Sequence, residues 1–118
     1  MRAKDAVGAY GEQVAVGHLV EAGLVVLDRN WRCPAGELDI VARDGDTLVF
    51  CEVKTRRGDR HGSPAEALVA AKTARLRRLA ARWLATSGVR ASTIRFDVIS
   101  VRPQRSGAAA VEHLRGAF

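Results

Sequence analysis

The chain has 118 residues, 47% of them apolar, and 19 Lys and Arg against 13 Asp and Glu give it a net charge of +6. That length suits one domain, residues 1–118, with its own hydrophobic core. No apolar run reaches the roughly 20 residues that span a bilayer and no signal-type segment follows Met1, which points to a soluble cytoplasmic protein with no membrane contact.

The spacing of Val7, Tyr10, Val14, Leu19 and Val20 predicts an amphipathic helix from Asp5 to Ala22, ended by Gly23 and weakened in its first turns by Gly8 and Gly11. A strand is expected from Leu24 to Arg32. The stretch GELDIVARDGDTLVFCEVKT, Gly36 to Thr55, reads as two strands around a turn at Asp44-Gly45-Asp46. A basic loop, Arg56 to Gly62, leads into Ser63-Pro64-Ala65-Glu66, a capping box with Pro at the first helical position. The helix it opens should run to about Thr86 and stop at Gly88. Leu68, Leu76, Leu79, Trp83 and Leu84 would face the core, with Arg75, Arg78 and Arg82 on the other side. TIRFDVISV, Thr93 to Val101, alternates as a strand does. Val111 to Phe118 is a short element of unassigned type. The order α-β-β-β-α-β defines an α/β fold, with short turns for antiparallel pairs and one helical crossover for a parallel pair. The result is a mixed sheet flanked by helices. Cys33 and Cys51 lack metal-ligand spacing and read as reduced, mostly buried thiols.

The hairpin is apolar enough for a sheet interior, yet it contains Glu37, Asp39, Glu52 and Lys54. Such side chains are ordinarily kept out of a core. A two-residue loop, either Asp44-Gly45 or Gly45-Asp46, would place all four on one face. With Gly45-Asp46 as the loop, Asp39 would lie opposite Glu52 and Glu37 opposite Lys54. Two carboxylates about 4–5 Å apart repel by roughly 3–4 kcal/mol at an effective dielectric of about 20, so a cation is wanted between them. Lys54 offsets part of this repulsion. A hard divalent ion, Mg²⁺ or Mn²⁺, offsets more. The bland alternative is a solvated face on which Glu37 pairs with Lys54. The chain also strongly prefers arginine, with lysine only at Lys4, Lys54 and Lys72. A lysine inside the hairpin therefore suggests that an ammonium is required there.

Asp39, followed on the next strand by Glu52-Val53-Lys54, resembles the D…ExK centre of the PD-(D/E)xK nuclease superfamily. Leu38 stands where that superfamily carries a proline that its chemistry does not need. The stretches GAYGEQVAVGHL, GELDIVARDGDTLVFCEVKTR, GSPAEAL, RFDVISV and VEHLRGAF resemble the YraN-type uncharacterised bacterial family. The resemblance implies a restriction-endonuclease-like core close to Holliday-junction resolvases, and with it a homodimer. It also implies that Asp39, Glu52 and the Val53 carbonyl ligate the metal and that Lys54 orients or deprotonates the attacking water. Glu12 matches a helix-borne acid of the resolvases; read without the resemblance it is a surface glutamate.

The expected activity is phosphodiester hydrolysis on DNA, favoured over RNA, with branched or recombination DNA among the candidates. The alternative is a non-catalytic nucleic-acid-binding module that keeps the fold. Arg56, Arg57, Arg60, His61 and Lys72 are the expected phosphate contacts. Asp97 either adds charge near the site or pairs with an arginine such as Arg95.

Overall fold

The computed structural model describes residues 6–56 and 70–118. Its first helix, α1 (Ala6–Glu21), buries Gly11, Glu12, Ala15 and Leu19. Of the apolar stripe expected from the sequence, Leu19 is fully buried and Val14 packs on the core, but Tyr10 is 44% exposed and Val20 57%. Small residues, Gly11 and Ala15, complete the face. A Cβ at Gly11 would overlap Thr55 Oγ1, so only glycine lets the helix lie this close to the sheet. Gly23, at φ +93°, ends the helix as expected.

Strand β1 (Val25–Cys33) runs antiparallel to β2 (Gly36–Asp44), with a bulge between Val26 and Asp28. The hairpin to β3 (Thr47–Thr55) closes on Gly45 and Asp46, with Asp44 opposite Thr47. Gly45 has φ +60° and Asp46 has no positive φ, the pattern of a type II′ turn. Helix α2 (Ala70–Ser87) provides the crossover to β4 (Thr93–Arg102), which lies parallel to β3. Gly88, at φ +72°, is the expected stop. A fifth strand, β5 (Ala110–Leu114), adds antiparallel to β4 and settles the unassigned C-terminal element. The sheet order is β1-β2-β3-β4-β5. The Ser63 capping box and Leu68 lie outside the described residues.

Each face of the sheet has its own core. On one, Ile40, Ala42, Val49, Cys51, Ile99 and Val101 pack with Ala15 and Leu19 of α1. On the other, Leu48, Phe50 and Phe96 pack with Leu76, Leu79, Ala80 and Trp83 of α2. Leu38 joins the α2 side although strict alternation would pair it with Ile40. The strand therefore turns about Asp39. Both cysteines are free thiols, Cys51 buried and Cys33 half-buried. Burial pushes the Cys51 thiol pKa up. No helix among the described residues is long and apolar enough to cross a membrane.

Candidate active site

The turn at Gly45 and Asp46 decides which side chains meet at the far end of the hairpin. The paired register runs from Asp44↔Thr47 to Ile40↔Cys51. One step further, the Asp39 carboxylate reaches across and its Oδ2 accepts the Val53 N–H at 2.8 Å. A side chain thus binds the backbone of the neighbouring strand where the ladder ends. Glu37, Asp39, Glu52 and Lys54 all line a single cavity of about 500 Å³, together with Lys72 and Arg75 from α2. The shared face expected from a two-residue loop is present.

The pairing within that face differs from the bland expectation. Glu37 is 3.5 Å from Arg32 Nε. Lys54 Nζ is instead 3.2 Å from Glu52 Oε2, and Lys72 Nζ lies 2.6 Å from the same oxygen. Burial alone would raise the Glu52 pKa. Hydrogen bonding and charge from Lys72, then Lys54, outweigh burial and hold the carboxyl below its usual range. Burial also lowers the Lys54 pKa, and the neighbouring Lys72 lowers it further. Burial opposes the charge on Lys72, but its hydrogen bond to Glu52 more than compensates and its pKa rises. The site thus holds a firmly charged Lys72, an ionised Glu52 and a Lys54 that gives up its proton more readily than usual.

Lys72 lies inside the site. Expected as a phosphate contact, it is held in the cavity against Glu52. The sequence signal for it was the scarcity of lysine, which marks Lys54 and Lys72 alike. Glu12 is also not the surface residue that its helix suggests. It is 2% exposed, and its Oε1 accepts hydrogen bonds from Arg29 Nη2 at 3.0 Å and Asn30 Nδ2 at 2.7 Å. It sits on α1 and is not among the residues that line the cavity. Asn30 adopts φ 51°, a conformation asparagine tolerates, and so presents its amide to Glu12. The Arg56 N–H bonds the Val101 carbonyl, and its side chain is half-buried. Arg57, Arg60 and His61 lie outside the described residues.

Asp97 takes the structural option. Its side chain is fully buried and accepts two bonds from Arg95, at 2.9 and 3.1 Å, and one from Gly116 N–H at 2.9 Å. His113 Nε2 lies 2.7 Å from its Oδ2, and His113 Nδ1 lies 3.0 Å from His18 Nε2. Burial would raise the Asp97 pKa; the hydrogen bonds from His113, Arg95 and Gly116 overcome this and hold it low. An ionised carboxylate can only accept, so His113 donates to it from Nε2.

Among the described residues no cluster of three or more His, Cys, Asp or Glu side chains is placed to hold a metal. The carboxylates that line the cavity are Glu37, Asp39 and Glu52. An all-oxygen set of this kind matches the preference of Mg²⁺ or Mn²⁺ over softer metals.

The fold and cavity define an α/β protein with a mixed sheet that carries a carboxylate and lysine site on its α2 face. Similarity narrows this further. The chain belongs to the Uncharacterised protein family UPF0102, whose profile matches residues 11–101. A UPF0102 protein of Frankia casuarinae is 60% identical over 118 residues, covering all of both chains. One from Frankia alni is 62% identical over all of this chain and 98% of its own. A third, from Beutenbergia cavernae, is 63% identical over 98% of each.

Proposed function

We propose that this protein is a metal-dependent nuclease that hydrolyses phosphodiester bonds in DNA, with a PD-(D/E)xK-type centre at Asp39, Glu52 and Lys54. One observation carries the reading. Residues 13 and 15 positions apart in the sequence line one cavity, on strands that part where the Asp39 carboxylate takes the Val53 N–H. Asp39 and Glu52 would hold the metal, with the Val53 carbonyl as a further ligand. A bound Mg²⁺ or Mn²⁺ supplies Lewis acidity at the phosphoryl oxygen and a more acidic water.

The chain's own groups do the rest. The Val53 N–H fixes the Asp39 carboxylate in place. Lys54, whose proton affinity is lowered by burial and then by Lys72, is suited to take a proton from the attacking water. Its ammonium form then steadies charge on the phosphoryl oxygens. Lys72 balances the Glu52 charge and keeps both carboxylates from repelling each other unopposed.

The two ammoniums on Glu52 also support a second reading, a nucleic-acid-binding module whose cavity is electrostatically complete without metal. Incubation with duplex, single-stranded, flapped and four-way-junction DNAs separates the two. Cleavage that requires Mg²⁺ or Mn²⁺ and is lost in Asp39→Asn is expected for the nuclease. Calorimetric binding of Mn²⁺ should be lost in the same variant. Absence of cleavage on every substrate, with Mn²⁺ binding unaffected by Asp39→Asn, would reject it in favour of the binding module.

A further inference from the structure

The charge of this protein is not spread evenly. Between Ala70 and Ser87, helix α2 carries Lys72, Arg75, Arg77, Arg78 and Arg82 and no acidic residue. Those five account for all but one of the six net positive charges, so the other 100 residues together carry +1. Lys72 is neutralised by Glu52. Arg77 lies across the Phe96 ring, 4.9 Å from its centroid, on the flank of α2 that faces β4. Arg75 points the other way and lines the cavity beside Lys72 and Leu76.

At 100° per residue, Arg78 and Arg82 fall on the flank of Arg75 and not on that of Arg77. Both are exposed, and among the described residues neither they nor Arg75 has an acidic partner. The spacings are three and four residues, at which like charges repel. A helix that gathers unneutralised arginines on one side, in steps of about 4.5 and 6 Å from a cavity, carries a cost that a polyanion would remove.

We infer that Arg75, Arg78 and Arg82 form a phosphate-binding track that leads a DNA strand along α2 into the cavity. The inference rests on the nucleic-acid reading above. It adds to that reading the direction of approach: the backbone enters over the flank of α2 that faces β1, and Arg75 is the last contact before Asp39, Glu52 and Lys54. It also moves the expected footprint from Lys72, which the site itself consumes, to three arginines that the sequence placed merely on a solvated face.

The test is binding of a labelled DNA duplex without divalent metal, in EDTA, over a range of salt concentrations. Each lost phosphate contact lowers the slope of log affinity against log salt by about 0.9. Arg78→Gln/Arg82→Gln should therefore lower the slope by about 2 and weaken binding on the order of 10–100-fold at about 0.1 M salt. Arg78→Lys/Arg82→Lys should keep the slope, because the track reads charge. Arg105→Gln, an exposed arginine on a loop elsewhere, should change the slope by less than the α2 variants do. Removing like charges relieves repulsion within α2, so the Gln variant should melt no lower than wild type.

Unchanged affinity and slope in the Gln variant would overturn the track. So would a wild-type protein that ignores DNA but binds vesicles rich in anionic lipid, since the helix would then face a membrane surface. Because no metal is present, the result is independent of catalysis. A protein that binds DNA along α2 but cleaves nothing keeps the track and loses the nuclease reading; one that cleaves but binds equally well without Arg78 and Arg82 does the reverse.

Discussion

Both faces of the sheet carry carboxylates beside cations, and the two sites are built on opposite principles. On the α1 face, Asp97 is fully buried and every partner is within the fold: Arg95, the Gly116 N–H and His113, which is backed by His18. On the α2 face, Asp39 and Glu52 border a cavity of about 500 Å³, with Lys54 and Lys72 sharing one oxygen of Glu52. Enclosed and satisfied charge holds β5 and the C-terminal residues to β4. Charge gathered at an opening is available to something outside the chain. An acid in a strand is thus not informative by itself; whether its partners close around it is.

Removing the closed site should do the most damage to stability. Asp97→Ala leaves Arg95 and His113 without their acceptor inside the fold, and loss of one member of a buried charge network costs roughly 3–5 kcal/mol. Urea denaturation should show it. Asp39→Ala should cost less than Asp97→Ala in the same experiment, and equal losses would erase the distinction between the two faces.

Lys54 sharpens the comparison from the other side. Lys54→Ala should lower cleavage by about 10²–10³-fold while leaving DNA binding nearly intact. Lys54→Arg should fail similarly, because a guanidinium is bulkier and stays protonated. Single-turnover cleavage of the two variants checks this, and full cleavage by Lys54→Arg would remove the lysine from the chemistry.

A smaller effect is expected where α1 meets the end of β3. Gly11→Ala drives a methyl group into Thr55 and should cost about 1–3 kcal/mol, read as a fall in melting temperature. Thr55→Gly in the same chain should recover part of it.

The smallest expected effect is a pH dependence of the closed face alone. The His18 pKa is lowered in the fold by burial, then by the charges of His113 and Arg115. The unfolded chain therefore binds this proton more tightly, and stability should fall as pH drops below about 6.5. Asp97 acts lower. Its depressed folded pKa gives stability that is present above about pH 4 and is lost as the pH falls further toward the folded value. His18→Gln should remove the first decline and spare the second, measured by denaturation at a series of pH values.

Much of this was legible in the sequence because it depended on local rules. The parity of the hairpin followed from a Gly-containing two-residue turn, and Gly23 and Gly88 marked helix ends through their positive φ. The inward face of α2 followed from helical spacing, with Leu76, Leu79 and Trp83 buried. What escaped depended on contacts distant in the chain. Lys72 lies twenty residues beyond Glu52, and only the path of the crossover brings it there. On the buried face of α1 only Leu19 carries a strong hydrophobic signal; Gly11, Glu12 and Ala15 beside it do not. Glu12 looked exposed because its partners, Arg29 and Asn30, belong to a strand with a bulge and an asparagine at positive φ. Pairing with an arginine was one of two options for Asp97, and Arg95 fills it. Its histidines come from α1 and β5, and no spacing in the sequence links them.

The turn at Gly45 and Asp46 lies six residues from Asp39, about 20 Å along the strand. Its length nevertheless acts as an address for the site. One inserted residue would reverse the parity of β3 against β2, carrying Glu52 and Lys54 into the apolar layer beneath α1 and turning Cys51 and Val53 toward the cavity. Two inserted residues would restore the original faces. Drift at this hairpin is therefore constrained in length as well as in identity: a substitution at Gly45 strains the turn, whereas a change of odd length exchanges the inside of the protein for its working surface.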